Sequence, residues 1–304
     1  MFNIRFIELK IKLEILEDGR LPYYKTSALR GGIGQMLLDQ NCIKDRKCNQ
    51  CSFSENCIVQ NIMYAKFKIK PPYVTNKESM GYVADCTDYS TRARKGNILC
   101  FSLTLFGNTA CYITSLIYAL TALGANGIGK DAIHFRIKSI TDRKNNIILD
   151  NNNIYIGNLG IETLEQYINE RMEQTDLSCI SRRVILITPC TIKSHGNFLD
   201  KFDGFSLVTS ILHKIKMYNL YEGNDNINYK WEEDMFPEIS MQNIKECVIP
   251  RYSTVHNSKI NLNGVKGELF LDKCTPGLLK ILYAAEILHI GKNTRFGFGK
   301  ILVV

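Results

Sequence analysis

Residues 276–304 read PGLLKILYAAEILHIGKNTRFGFGKILVV. Leu278, Leu279, Leu282, Ala285, Ile287 and Leu288 recur at helical spacing behind Pro276, a residue suited to a first helical turn. The spacing predicts a helix over 276–289. Gly291, Gly297 and Gly299 interrupt it, and the apolar run 300–304 predicts a closing strand. The same order occurs earlier in the chain. Ile113, Leu116, Ile117, Leu120 and Leu123 form one stripe of a helix over 110–123. Gly124 to Lys130 is a glycine-rich loop, and 134–140 returns as a strand.

Working outward, 2–13 (FNIRFIELKIKL) reads as a strand. Leu21-Pro22-Tyr23-Tyr24 reads as a turn, and 25–41 as a helix carrying Leu29, Ile33, Met36 and Leu37. Residues 97–106 read as a buried strand, 183–192 as another, and 205–220 as an amphipathic helix. Residues 248–262 and 266–271 read as a hairpin. Each half therefore runs strand, helix, strands, helix, glycine loop, strand. That order predicts an α+β protein of two ferredoxin-like βαββαβ domains in tandem, over 1–165 and 180–304, with the boundary inside 162–181.

The chain has 304 residues, 45% hydrophobic and 22% charged with 7 Pro, which excludes a disordered or collagen-like protein. Nothing in Met1-Phe2-Asn3-Ile4-Arg5-Phe6 resembles a signal peptide, and the long uncharged stretch 97–129 is broken by Asn, Thr, Ser and Gly. A soluble cytoplasmic protein is expected. Net charge is +8, and residues 242–304 hold nine Lys/Arg against four Asp/Glu. That surplus points to a polyanion bound by the C-terminal part, or to a solvated basic surface.

Of 11 cysteines, seven are scattered and read as small hydrophobes. Cys42, Cys48, Cys51 and Cys57 are spaced C-x5-C-x2-C-x5-C. Clustered thiols in a chain expected to stay in a reducing compartment usually have a metal reason. Four thiolates suit a structural Zn²⁺, and an iron–sulfur cluster is the alternative.

The glycine loops match neither a Walker A nor a dinucleotide fingerprint, because they follow a helix and lead into a strand. The chain instead resembles the CRISPR-associated RAMP proteins, and more closely the endoribonucleases that cut precursor CRISPR RNA within the repeat. The branch it resembles often accompanies type III systems. The resemblance rests on Leu29-Arg30-Gly31-Gly32-Ile33-Gly34, the four-cysteine segment, Pro71-Pro72-Tyr73-Val74 and 100–107 (CFSLTLFG). It continues through Gly127-Ile128-Gly129, Arg251-Tyr252-Ser253, Gly264-Val265-Lys266-Gly267-Glu268, Leu288-His289-Ile290-Gly291-Lys292 and Gly297-Phe298-Gly299. It implies the tandem RAMP/RRM-like fold and metal-independent cleavage of repeat RNA, leaving 5′-hydroxyl and 2′,3′-cyclic phosphate ends. A non-catalytic RAMP subunit that holds CRISPR RNA in an effector complex is the alternative.

RNA carries its own nucleophile, the 2′-OH beside the scissile phosphate. The protein must align it, move two protons and neutralise charge at phosphorus, with no cofactor required. Relatives commonly place a His in the first helix; here the histidines are His134, His195, His213, His256 and His289. His289 leads, because it stands between a helix end and a loop with phosphate-suited groups. A His there can equally cap the last carbonyls. His256 is second, and Tyr24 and Lys25 lie where relatives carry their catalytic group. For RNA binding the expected residues are Arg30, Arg251, Tyr252, Lys259, Lys292, Arg295 and Lys300. The backbone of Gly291, Gly297 and Gly299 is expected to meet phosphate oxygens.

Overall fold

The computed structural model describes residues 1–44, 46, 48–72, 80–194, 196–225, 236–253 and 258–304. The side chains of Asn49, Tyr252, Ser253 and Lys259 lie outside that description, as does His256. The chain divides into two compact units. One comprises Arg5–Glu162 with Leu220–Gly223; the other comprises Met1–Ile4, Thr163–Asn219 and Asn224–Val304.

In the N-terminal unit, β1 (Arg5–Ile15) alternates apolar and charged residues, burying Leu9, Ile11, Leu13 and Ile15 while Lys10 and Lys12 face outward. It pairs antiparallel with β3 (Ile98–Phe106) on one side and β4 (Phe135–Asp142) on the other. The sheet runs β2 (Tyr82–Asp85), β3, β1, β4, then β5 (Ile147–Asp150) and β6 (Asn153–Ile154). Its helices are α1 (Lys25–Asn41), the short α2 (Ile58–Met63) and α3 (Ile113–Asn126). Leu29, Ile33 and Leu37 of α1 share one core with Leu116, Leu120 and Leu123 of α3. With β1-α1-β2-β3-α3-β4 as chain order and 2-3-1-4 as sheet order, this is a ferredoxin-like domain.

The C-terminal unit repeats it. A helix α4 (Leu164–Glu173) comes first, opened by a Thr163–Gln166 capping box. Then follow β7 (Arg182–Cys190), α5 (Gly204–Glu222), β8 (Glu238–Ser253), β9 (Ser258–Asp272), α6 (Pro276–Leu288) and β10 (Ile301–Val303). The sheet order β8-β9-β7-β10 is the same 2-3-1-4 pattern. Thr275 caps α6 by accepting from Leu278 N, with Pro276 in the first turn.

One element departs from the sequence reading. Strands β8 and β9 pair in one continuous register from Glu238↔Asp272 to Ser253↔Ser258, and 263–265 lie within it rather than at a turn. Gly264 and Gly267 suggested a turn, but they lie inside β9. At Gly267, φ is +145°, and a Cβ would stand 2.0 Å from the Asn243 carbonyl. A glycine there admits a neighbouring backbone rather than a bend.

Candidate functional site

The loop after α6 turns on five residues of positive φ: +58° at His289, +72° at Gly291, +62° at Asn293, +88° at Gly297 and +79° at Gly299. A Cβ at Gly291 would lie 2.2 Å from the Thr191 carbonyl, and one at Gly299 2.0 Å from that of Ile290. Only glycine satisfies both the conformation and the closeness. The loop's backbone is bonded internally: Lys292 N–H donates to Thr191 O, Gly299 N–H to Pro189 O, and Gly297 N–H to Thr294 O. Gly297 and Gly299 are also buried. The expected phosphate contacts of Gly297 and Gly299 are therefore replaced by a shaping role, while Gly291 is half-buried.

His289 is 2% exposed. Its Nδ1 lies 3.0 Å from the Phe298 carbonyl, which can only accept, so Nδ1 carries the proton. Burial, with the charges of Lys300 and Lys214 adding to it, pushes its pKa down to about 3, against the Phe298 bond. A neutral ring in the core, tying the helix end to the far side of the loop, does not suit proton transfer to RNA. The expectation of a catalytic His289 gives way to a structural one. The signal was present in the sequence: α6 is apolar nearly all round, and such a helix is buried on every face, including its last residue.

What the loop does offer is positive charge. Lys292 is exposed, and Arg295 and Lys300 are half-buried. Lys214, on α5, donates from Nζ to Thr294 Oγ1 at 3.2 Å. The guanidinium of Arg251, on β8, sits 4.2 Å from the Phe296 ring centroid, a cation–π contact. Phe298 is fully buried core. The structure thus brings Arg251, Lys292, Arg295 and Lys300 to one loop region and adds Lys214 of α5. The expected partners Tyr252, Lys259 and His256 fall on side chains or residues outside the description.

Tyr24, Lys25 and Arg30 cluster at the start of α1 in the N-terminal unit. Lys25 is 0% exposed. Its ammonium donates to Ser90 O at 2.6 Å, to Asp88 O at 2.9 Å and to Asp88 Oδ1 at 3.4 Å. Three acceptors replace water around a buried charge, so Lys25 anchors residues 88–90 and is no free acid or base. Tyr24 is buried with its ring 6.3 Å from that of Tyr89. Arg30 is half-buried and lines an apolar cavity with Thr26, Tyr82 and Asp85. Sequence reading missed Tyr23, which is 54% exposed and lies 5.3 Å from Tyr89. Its place in the Pro22-Tyr23-Tyr24 turn was the available signal.

The four clustered cysteines are all half-buried free thiols. Cys42 follows α1, Cys48 opens a short 3₁₀ turn, and Cys57 immediately precedes α2. All four line a single pocket. Among the described residues no three Cys, His, Asp or Glu side chains are already gathered as metal ligands. Of the scattered thiols, Cys86, Cys190 and Cys274 are buried as expected, whereas Cys100, Cys111 and Cys179 are exposed. Cys100 lies on an outward face of β3, Cys111 in the 3₁₀ turn Gly107–Tyr112 and Cys179 in the connection before β7, placements that local apolarity did not reveal. Among the described residues no helix is long and apolar enough to cross a membrane.

A family model described as an N-terminal domain matches residues 4–164, more than half of the chain. The model described as CRISPR-associated endoribonuclease Cas6 matches residues 184–301. No curated protein matches the sequence. Among solved structures, Thermus thermophilus Cas6 is similar at 10% identity and a TM-score of 0.54, covering 99% of both chains. A structure titled as a RAMP protein binding different RNA substrates is similar at 11% identity and a TM-score of 0.51, covering 98% of this chain and 99% of that one. A partial Cas6-RT-Cas1–Cas2 complex is similar at 13% identity and a TM-score of 0.61. This chain is covered over 99% of its length there but spans only 46% of the matched chain. Residues 184–301, with the glycine loop at their end, carry a Cas6-type domain, and the two ferredoxin-like units have the fold of the RAMP structures, so the chain is a CRISPR-associated protein of the RAMP type.

Proposed function

We propose that this protein is an endoribonuclease that cuts precursor CRISPR RNA within its repeats. Cleavage proceeds by metal-independent attack of the 2′-OH and leaves 5′-hydroxyl and 2′,3′-cyclic phosphate ends. The observation that carries the reading is the cationic loop of a Cas6-type domain: Lys214, Lys292, Arg295 and Lys300 around residues 291–299. In that role the loop cations hold the phosphates flanking the cut and offset the charge that grows on the phosphoryl oxygens. Arg251, fixed on Phe296, adds a further cation. His289 sets the loop's shape by holding Phe298 and takes no proton from RNA. Proton transfer passes to His256, and His256→Ala should slow single-turnover cleavage while leaving RNA binding nearly intact. Lys25 acts as a positioning residue for the segment carrying Tyr89.

The test is single-turnover cleavage of repeat RNA in excess EDTA, with both product ends mapped. Full activity with cyclic phosphate ends is expected. Dependence on added Mg²⁺, or 3′-hydroxyl products, would overturn the mechanism. Tight binding with no cleavage favours the second reading, a RAMP subunit that holds CRISPR RNA inside an effector complex. The burial of His289 is the observation on that side, since it withdraws the histidine nearest the basic loop.

A further inference from the structure

Residues 41–58 join α1 to α2, and among the described residues of that stretch none is buried. Ile43 is 76% exposed and Phe53 53%. Its backbone bonds are short-range: Cys51 N–H to Cys48 O, Ser54 N–H to Cys51 O, and Asn56 N–H to Phe53 O. A connection of this length with no core of its own has little to offset the entropy of ordering it. Yet Cys42, Cys48, Cys51 and Cys57 all line one pocket of about 260 Å³, with Lys44 and Arg46.

We propose that these four cysteines bind one Zn²⁺ as a four-thiolate site that staples residues 42–57 to the first helix. Four thiolates around Zn²⁺ leave a net charge of −2, beside Lys44 and the Arg46–Asp39 ion pair. Coordination expels the four thiol protons to solvent and forms four Zn–S bonds of about 2.3 Å, with no electron transferred. The thiols converge only as the ion is taken up, so ordering of the segment and binding of the metal are one event. The symmetric x5-x2-x5 spacing serves that closure: Cys48 and Cys51 form the tight inner pair, while Cys42 and Cys57 tie the site to the ends of α1 and α2.

The test uses the full chain, purified under reducing conditions and without oxygen. Elemental analysis should find one zinc per chain. Metal-free protein given Co²⁺ should show the thiolate charge-transfer and strong d–d bands of a tetrahedral sulfur site. Hydrogen exchange of residues 42–57 should slow on zinc addition, with little change elsewhere. The double variant Cys48→Ser/Cys51→Ser should lose the metal and the cobalt spectrum, while Cys100→Ser/Cys179→Ser keeps both. Wild-type chain that takes up no stoichiometric zinc overturns the proposal, as does iron with acid-labile sulfide or uptake unchanged in Cys48→Ser/Cys51→Ser. If that variant does not fold, the wild-type metal content and exchange data decide alone, and none of these readouts depends on RNA cleavage.

Discussion

His289 shows how one side chain can be read correctly as chemistry and misplaced in space. Its ring is neutral in the fold and titrates in the unfolded chain near 6.5, so between pH 6.5 and about 3 the unfolded state binds the extra proton. Stability attributable to this residue is thus complete above pH 6.5 and falls as the solution is acidified. The loss expected at pH 5 is about 2 kcal/mol. His289→Gln keeps an N–H donor for Phe298 without a titrating group, and its unfolding free energy should fall less between pH 8 and 5 than that of the wild type. Denaturant titrations at the two pH values measure the difference. The same variant should cut RNA within a few-fold of the wild-type rate, whereas loss of a general acid or base costs about 10²–10⁴-fold. What sequence offered was the neighbourhood, a helix end beside Lys292 and Arg295. What it concealed was which way a residue at φ +58° sends its ring.

At the scale of elements, loop 291–299 divides its labour between backbone and side chains. Its glycines admit neighbouring carbonyls, so Gly299→Ala forces a Cβ against Ile290 O in a conformation alanine disfavours. The expected loss is about 2 kcal/mol or more in chemical denaturation. Its cations meet the polyanion. Replacing Lys292 and Arg295 together by Ala should weaken repeat-RNA binding and flatten the dependence of log K on log salt by about 1.4–1.8, as two phosphate contacts disappear. An unchanged slope in filter-binding or anisotropy titrations would move the RNA site off this loop. The helices and central strands were legible because their apolar residues recur with periods of 3.6 or 2. The β8–β9 register was not. Gly264 and Gly267 carry the composition of a turn, and only the partner strand reveals that they make room for the Cys190 and Asn243 carbonyls.

For the molecule as a whole, two repeats of one topology were readable from element order alone, yet the unit boundary is subtler than a cut in sequence. The unit holding the glycine loop also holds Met1–Ile4 and the helix α4. The tie that binds α4 into it is a buried carboxylate: Glu286 of α6 accepts from Tyr167 Oη at 2.6 Å, Arg171 Nε at 3.0 Å and Val303 N at 2.8 Å. Arg171 also donates to the Val303 carbonyl and lies over the Tyr283 ring. No periodicity announces such a network, because its members are far apart in sequence and two of them fall where a linker was expected. Arg171→Met leaves the Glu286 charge buried without its cation, and such a loss costs about 3–5 kcal/mol. Because each unit has its own core, the cost should be local. Hydrogen exchange followed by mass spectrometry should show lost protection across α4, α6 and β10, with β1, α1 and α3 nearly as in the wild type. A Glu286→Gln/Arg171→Met pair, which removes both charges, should recover most of the protection. Equal loosening of both units by Arg171→Met would mean that they unfold as one body, and the network would then be a support of the entire chain.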